Sequence, residues 1–256
     1  MLKPQPVTPQ RTSRPSHLGA FKFLSVGRTH VGCVRSLNED AVLNRADIGL
    51  WAVADGMGGH ESGEVASAAV VDALSGVSNF ATAYAFRDAA AQAMIEANAK
   101  LVELSAGRGT MGSTVVALLV HEGHYACLWA GDSRAYLYRG GALKRLTRDH
   151  SVVQEMVDAG AITEDRARAH PRANVITRAV GARERLDVDS VFGPLQSGDR
   201  FLLCSDGLTG VVSDREIAEQ MIRAPLEAAA ERLIDQALAR GAPDNVSLVL
   251  VAAEPA

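Results

Sequence analysis

Residues 50–56 read Leu50-Trp51-Ala52-Val53-Ala54-Asp55-Gly56, a short apolar run that stops at an aspartate and a glycine. A run of about four to eight apolar residues bounded by turn residues is typical of a β-strand that is buried in a sheet. Further runs share this pattern, and they are 114–120, 125–130, 201–204 and 246–252. The chain is therefore predicted to contain buried sheets, with acidic residues at several of the strand ends.

Hairpin loops and helices separate the predicted strands. Short glycine-containing loops predict hairpins at 121–123, 139–141 and 197–199. Alanine-rich stretches with apolar residues three and four positions apart predict helices at 64–77, 86–104 and 225–240. Strands that come in hairpins, with helices grouped between them, favour an α+β layered domain with mainly antiparallel sheets over an alternating βαβ fold.

The composition narrows the class of protein. The chain has 256 residues, a net charge of -4 and 22% charged residues, which is ordinary for one globular domain. We expect this domain over 21–256, after a polar, disordered tail at 1–20. No concentrated positive charge suggests nucleic acid or a membrane surface as a partner. No apolar run approaches the roughly 18 residues that span a bilayer, so a cytoplasmic protein is expected.

Acidic residues lie at the ends of several predicted strands. They are Glu39, Asp40, Asp55, Asp132, Asp206 and Asp244. A single Asp-Gly pair after a strand is usually a turn. Several carboxylates at one sheet edge, however, would repel one another unless a positive charge compensates them. Few basic residues lie in these segments and every candidate ligand is an oxygen, so Mg²⁺ or Mn²⁺ is expected.

Two neighbours of these acids add to the predicted chemistry. Gly56 has no side chain, so its backbone carbonyl can approach an ion closely. Arg35 lies just before Glu39, and a guanidinium fork matches the geometry of a phosphate. A lone arginine is usually a solvated surface charge, and it is the adjacent acids that favour the phosphate role. Two ions about 3.5–4 Å apart can share a water, lower its pKa and align it for attack on phosphorus.

Short strings along almost the whole of 21–253 resemble, in the same order, the bacterial form of the type 2C metal-dependent serine/threonine protein phosphatases. These strings are 29–41, 53–60, 63–67, 111–114, 131–136, 146–151, 170–171, 178–181, 203–208 and 243–246. The resemblance implies a four-layer α-β-β-α sandwich. It also implies hydrolysis of phosphoserine or phosphothreonine on proteins by a hydroxide that bridges two Mn²⁺ or Mg²⁺ ions.

The resemblance also assigns roles to the site residues. It implies that Asp55 bridges the two ions and that the Gly56 carbonyl binds one of them. Asp206 and Asp244 would bind the first ion. Glu39 would support the second ion, and Asp40 would lie behind the ligands. Asp132 would bind a third, weaker ion, and Arg35 would bind the substrate phosphate.

One further segment is similar to the family, and two residues differ from its pattern. The stretch 147–180 is similar to the family's mobile flap, in which Asn174 would lie near the third ion. His30 stands where most members have Asp, which we expect to tune the site without abolishing activity. Met57 stands where animal members carry a histidine proposed as the general acid. The proton donor is then a water or His60, and a structural role for His60 is the stronger alternative.

The resemblance implies phosphoprotein substrates and a bacterial serine/threonine kinase that the enzyme opposes, with type VI secretion as one candidate pathway. We expect a monomer. Two alternatives stay open. A catalytically silent binding protein on the same scaffold would typically have lost metal-binding aspartates, and a metal-dependent activity assay tests for it. A phosphatase of small metabolites would prefer sugar phosphates to phosphopeptides.

Overall fold

The computed structural model describes residues 8–10, 16–18, 21–58, 62–78, 80–106, 109, 111–222 and 225–256. Its strands are β1 (Thr8–Gln10), β2 (Ser16–Leu18), β3 (Phe21–His30), β4 (Asp40–Arg45), β5 (Leu50–Gly58), β6 (Met111–Ser113), β7 (Val115–His121), β8 (His124–Ala130), β9 (Arg134–Arg139), β10 (Ala142–Arg145), β11 (Asp189–Pro194), β12 (Arg200–Cys204) and β13 (Val246–Pro255). Its helices are α1 (Ser62–Ser75), α2 (Ala83–Ser105), α3 (Val152–Asp158), α4 (Glu164–Arg168), α5 (Asp206–Thr209), α6 (Asp214–Met221) and α7 (Leu226–Ala239).

The strands form two antiparallel sheets. The first sheet has the order β1-β3-β13-β12-β9-β10, and β2 also pairs with β3. The second has the order β11-β8-β7-β5-β4, and β6 also pairs with β5. Helices α1 and α2 contact the second sheet, and α7 contacts β3 and β13 of the first. This is the predicted four-layer α-β-β-α arrangement.

Three layers of buried side chains hold the four layers of backbone together. Successive residues of a strand point to opposite faces of its sheet. Leu50 and Ala52 of β5 accordingly pack in the cluster that includes Phe86 of α2. Trp51 and Val53 pack between the two sheets. Leu202 and Leu250 of the first sheet pack in a third cluster with residues of α7. The apolar run around Trp51 is thus buried on both faces.

The structure confirms most predicted elements and corrects one connection. The runs 50–54, 125–130, 201–204 and 246–252 all lie in strands, and the three alanine-rich stretches coincide with α1, α2 and α7 to within a few residues. The prediction of a hairpin at 197–199 was wrong. Strand β11 pairs with β8 in the second sheet, whereas β12 pairs with β9 and β13 in the first. The loop at 197–199 therefore crosses from one sheet to the other.

The stretch 1–20 was predicted to be a disordered tail. Of this stretch the structure describes only Thr8–Gln10 and Ser16–Leu18, and both segments pair with β3. Backbone hydrogen bonds to β3 make these two segments short strands. The rest of the stretch lies outside the described residues, and the disordered tail stays a prediction. Within the part of the chain that is described, no helix combines the length and hydropathy needed to cross a membrane.

Candidate metal centre

The sheet topology brings the predicted acids to one edge of the sandwich. Strands β4 and β5 pair so that Asp40 lies directly opposite Asp55. Asp206 begins α5, just after β12 ends. Asp132 follows the end of β8, and Asp244 precedes β13. Five separate parts of the chain therefore contribute carboxylates to the same edge.

Asp55 lies at the centre of these carboxylates. Burial raises its pKa well above the ordinary value, and the negative charges of Asp40, Asp206, Asp132 and Asp244 raise it further. Burial, followed by the charge of Asp244, also raises the pKa of Asp206. Like charges this close in a dry environment need a positive partner to stay ionised together.

Asp40 is held by serines of the neighbouring strands. The hydroxyl of Ser205 donates to Asp40 Oδ2 at 2.8 Å, and the backbone N–H of Ser247 donates to the Ser205 oxygen at 3.0 Å. Burial raises the pKa of Asp40 to about 7, against the opposing effect of hydrogen bonds from the side chains of Ser247 and Ser205. Its second oxygen, Oδ1, is buried and has no hydrogen-bond partner.

Unpartnered oxygens are the clearest property of this edge. Within the part of the chain that the structure describes, four buried carboxylate oxygens lack a hydrogen-bond partner, and they are Glu39 Oε1, Asp40 Oδ1, Asp132 Oδ1 and Asp206 Oδ1. Leaving a buried charged oxygen without a partner is costly, and native proteins rarely do so without an ion or water. Such a set of hard oxygens fits divalent cations such as Mg²⁺ or Mn²⁺.

The carboxylates do not already form a finished coordination shell. Among the described residues, no group of three or more His, Cys, Asp or Glu side chains has the geometry of a formed metal site. The fit to cations therefore rests on the unpartnered oxygens and on the mutual repulsion around Asp55, and not on a preformed set of ligand distances.

Glycines leave the space that this edge requires. The N–H of Gly56 donates to the Glu39 carbonyl at 3.0 Å. A Cβ at Gly56 would lie 2.0 Å from the Gly63 carbonyl oxygen, and a Cβ at Gly63 would lie 2.3 Å from Glu39 Oε1. Burial raises the pKa of Glu39, while a hydrogen bond from the Gly63 backbone opposes this shift. A side chain at Gly56 would therefore collide with the backbone of Gly63, and one at Gly63 would displace the Glu39 carboxylate.

Arg35 reaches the same edge from the loop between β3 and β4. Its Nη2 lies 2.8 Å from Asp244 Oδ2, and its side chain is 51% exposed. The hydrogen bond to Asp244 raises the pKa of Arg35 further above its ordinary value. The guanidinium is thus charged, open to solvent on one side and adjacent to the carboxylates, as a phosphate-binding arginine must be.

Asp132 opens onto a cleft below the stretch 147–180. The cleft has a volume of about 150 Å³, and its lining includes Asp132, Asp206 and Asn174. Burial raises the pKa of Asp132 well above its ordinary value, followed by the charges of Asp206 and Asp149. Asn174, which the resemblance placed near the third ion, therefore faces the same cleft as the two aspartates.

His30 and Met57 are the two residues that differ from the family pattern. His30 is buried, and its Nδ1 accepts a hydrogen bond from the Gly32 N–H at 2.9 Å, so it shapes the loop that leads to Arg35. Met57 lies in β5, two residues after Asp55. His60 lies outside the described residues.

Several polar residues that organise the site were not predicted from the sequence. Asn245 accepts the Glu39 N–H at 2.8 Å and donates to the Val31 and Leu37 carbonyls at 2.9 Å. Thr114 Oγ1 accepts the Asp55 N–H at 3.1 Å. The position of Asn245 directly after Asp244 was the available signal, since an Asx side chain in a turn commonly binds backbone groups.

Comparisons with known proteins agree with this geometry. Residues 26–241 match the family model described as Protein phosphatase 2C. The chain is 41% identical over 226 residues to the "Serine/threonine protein phosphatase PstP" of Mycobacterium tuberculosis, covering 87% of this chain and 43% of that protein. The chain thus spans less than half the length of that relative.

Solved structures are similar along nearly their whole length. One is titled "PppA, a key regulatory component of T6SS in Pseudomonas aeruginosa"; it has 41% identity and a TM-score of 0.84, covering 90% of this chain and 97% of that one. Another is the catalytic domain of the phosphatase PstP in complex with two manganese ions, with 34% identity and a TM-score of 0.80, covering 91% and 98%.

Proposed function

Because the chain belongs to the protein phosphatase 2C family, we propose that it hydrolyses phosphoserine and phosphothreonine on proteins and that it requires Mn²⁺ or Mg²⁺. The observation that carries this proposal is the set of four buried carboxylate oxygens without a hydrogen-bond partner, next to the exposed guanidinium of Arg35. The arrangement can hold cations on one side and a phosphate on the other. The manganese ions in a solved relative support the choice of metal.

The metal-binding residues in this proposal are those predicted from the sequence. Asp55 would serve both ions, and the Gly56 carbonyl would bind one of them. Asp206 and Asp244 would hold the first ion, and Glu39 would support the second. Asp132 would hold a third and weaker ion in the cleft that it shares with Asp206. When bound, the ions supply positive charge to the phosphoryl oxygens and a water of lowered pKa as the nucleophile.

The chain's own residues orient the substrate and the carboxylates. Arg35 binds two phosphoryl oxygens with its fork, on the exposed side that Asp244 does not occupy. Ser205 and Ser247 fix Asp40 behind Asp55, and this hydrogen bonding favours the charged form of Asp40. Met57 has no titratable proton, so the leaving oxygen must take its proton from water or from His60. A His60→Ala variant distinguishes these donors, since only the second would lose turnover of substrates with a poor leaving group.

The experiment that tests the proposed function compares phosphorylated substrates with and without metal. We expect the purified chain to release phosphate from phosphothreonine peptides in Mn²⁺ and to lose this activity in EDTA. Asp55→Asn should be inactive under both conditions. Equal turnover of sugar phosphates and phosphopeptides would favour the small-metabolite alternative. A folded protein that binds manganese but releases no phosphate would favour the silent binding protein.

The physiological role is a further part of the proposal. A phosphatase of this kind would oppose a bacterial serine/threonine kinase. The similarity to a structure titled as a regulatory component of type VI secretion supports that pathway as the first one to test. Phosphoproteomics of a deletion strain should show higher phosphorylation of a secretion component. Unchanged phosphorylation of every such component would remove the pathway from consideration, while leaving the chemistry unaffected.

A further inference from the structure

His150 fixes both backbone polar groups of Gly131, the residue directly before Asp132. The His150 N–H donates to the Gly131 carbonyl at 2.9 Å. The Gly131 N–H donates in return to His150 Nδ1 at 3.1 Å. One residue in the loop between β10 and α3 therefore determines the orientation of the peptide groups on both sides of Gly131.

These contacts define the tautomer of His150. Because Nδ1 accepts the Gly131 N–H, it carries no proton, and the proton of the neutral ring is on Nε2. Nε2 lies 3.1 Å from Asp189 Oδ2 and donates to it. The ring side chain is 10% exposed and stacks on Trp129, with an angle of 13° between the ring planes. Burial lowers the pKa of His150, which favours this neutral form.

The same histidine connects the Asp132 turn to the end of the stretch 147–180. Its carbonyl accepts the Thr177 N–H at 2.8 Å. Asp189, the acceptor for its Nε2, also accepts from Arg178 Nη1 at 2.6 Å. Charged neighbours of the ring are Asp149, Asp189 and Arg178. A continuous set of hydrogen bonds thus joins Gly131 to the segment that covers the cleft.

If one of its hydrogen bonds to His150 is lost, the backbone of Gly131 has little conformational freedom with which to compensate. Its φ is +118°, which a residue with a side chain rarely adopts, and a Cβ there would lie 2.6 Å from the Cβ of Thr114. The next residue, Asp132, is buried with its Oδ1 unpartnered. The direction of this carboxylate therefore depends on the peptide plane that His150 holds.

We propose that His150 is a positioning residue that sets the orientation of Asp132, and through it the affinity for the cation at Asp132, and that it couples this turn to the stretch 147–180. The inference rests on the proposed role of Asp132 in metal binding. Partners that orient metal-binding groups are commonly worth about 10–100-fold in metal affinity. No direct contact between His150 and substrate is needed.

Two variants of similar size each keep one of the two hydrogen bonds of the His150 ring and remove the other. In His150→Asn the amide oxygen can take the place of Nδ1 and accept the Gly131 N–H. In His150→Gln the amide nitrogen can take the place of Nε2 and donate to Asp189, while Gly131 loses its acceptor. His124→Gln is the control, since His124 is an exposed residue at the opposite end of β8.

The experiment titrates the full chain with Mn²⁺ and measures free manganese by electron paramagnetic resonance, so that no turnover is required. We expect His150→Gln to weaken the weakest manganese-binding step about tenfold, with His150→Asn and His124→Gln close to wild type. Melting temperatures in EDTA check that each variant is folded. Wild-type binding by His150→Gln, or equal weakening in the Asn and Gln variants, would overturn the proposal.

Asp132→Asn distinguishes this inference from the proposal on which it rests. We expect it to remove the weakest manganese-binding step. If Asp132→Asn does so and His150→Gln has no effect, the positioning role is wrong and the role of Asp132 stands. If Asp132→Asn binds manganese like wild type, the role of Asp132 is wrong, and the inference about His150 falls with it.

Discussion

The two ends of β12 carry aspartates whose buried oxygens are in opposite situations. Asp199 precedes the strand; its side chain has no exposed surface, and its oxygens accept from Arg139 Nε and Nη2, both at 2.6 Å. The Gln196 N–H adds a third hydrogen bond at 2.8 Å. Asp206 follows the strand; among the described residues its buried Oδ1 has no hydrogen-bond partner, and burial, followed by the negative charge of Asp244, raises its pKa.

The difference shows what distinguishes a structural carboxylate from one that awaits a cation. Burial alone does not, because each aspartate has a carboxylate oxygen that is out of water. A buried charge that is fully paired within the protein needs nothing else. A buried charge whose neighbours have the same sign requires a partner from outside. The comparison predicts opposite consequences when each carboxylate is replaced.

Asp206→Asn should give the largest effect on activity. We expect turnover of p-nitrophenyl phosphate in Mn²⁺ to fall by more than about 100-fold, since groups that merely orient metal ligands are already worth roughly 10–100-fold. In EDTA the same variant should melt at or above the wild-type temperature, because it removes a charge that repels Asp244 and Asp55. Near-normal turnover would contradict the assignment of Asp206.

Asp199→Asn should give the opposite result. Removing one partner of a buried ion pair typically costs about 3–5 kcal/mol, and we expect the lower end because the Arg139 side chain is 29% exposed. Urea denaturation measures this loss. Activity per folded molecule should stay unchanged, since Asp199 is remote from the carboxylate edge. A stable but inactive variant would show that the two ends of β12 do not differ as described.

Arg35→Ala should have a smaller effect, confined to substrate binding. The variant loses the guanidinium fork that faces the phosphate, so we expect KM for phosphopeptides to rise about tenfold, equivalent to one charge-assisted hydrogen bond of roughly 1.5 kcal/mol. Steady-state kinetics with Arg35→Lys as a matched control tests whether the fork geometry matters. An unchanged KM would argue against the phosphate role.

The pH dependence of metal-free stability should show the smallest effect. Asp40 has a pKa raised to about 7 in the folded state. Its contribution to stability is therefore fully present below the ordinary carboxyl pKa and is lost as the pH rises through about 7. In EDTA, we expect the melting temperature to fall by several degrees between pH 5.5 and 8, with a shallower fall in Asp40→Asn.

The comparison with Asp40→Asn separates this carboxyl from other groups that titrate over the same pH range. Equal pH slopes for the wild type and the variant would contradict the raised pKa. Added Mn²⁺ should reverse the trend in the wild type, because cations bind the ionised carboxylates.

Local sequence patterns predicted the parts of the fold that carry a strong local signal. The apolar runs of β5, β8, β12 and β13 were evident because these strands are buried. Strand β4 was not predicted, because the stretch Asp40–Arg45 mixes apolar residues with Asn44, Arg45 and Asp40. The hairpin at 197–199 was predicted wrongly for another reason, because a glycine turn does not indicate which sheet the next strand joins.

The sequence predicted which acids would meet at one edge of the sandwich, and the structure adds how they are held; their roles in metal binding stay a prediction. Asp-Gly pairs after apolar strands indicated the right edge of the sandwich. The bond between Arg35 and Asp244 spans 209 residues of sequence, and that between Ser205 and Asp40 spans 165. Such pairings depend on the packing of distant segments, which no local pattern contains.

The most direct test of the central claim is anomalous diffraction from a crystal grown with Mn²⁺. The account predicts manganese peaks between the carboxylates of Asp55, Asp206 and Asp244, and none near Asp199. It is contradicted if these three carboxylates are found without manganese between them, or if the manganese binds elsewhere in the molecule.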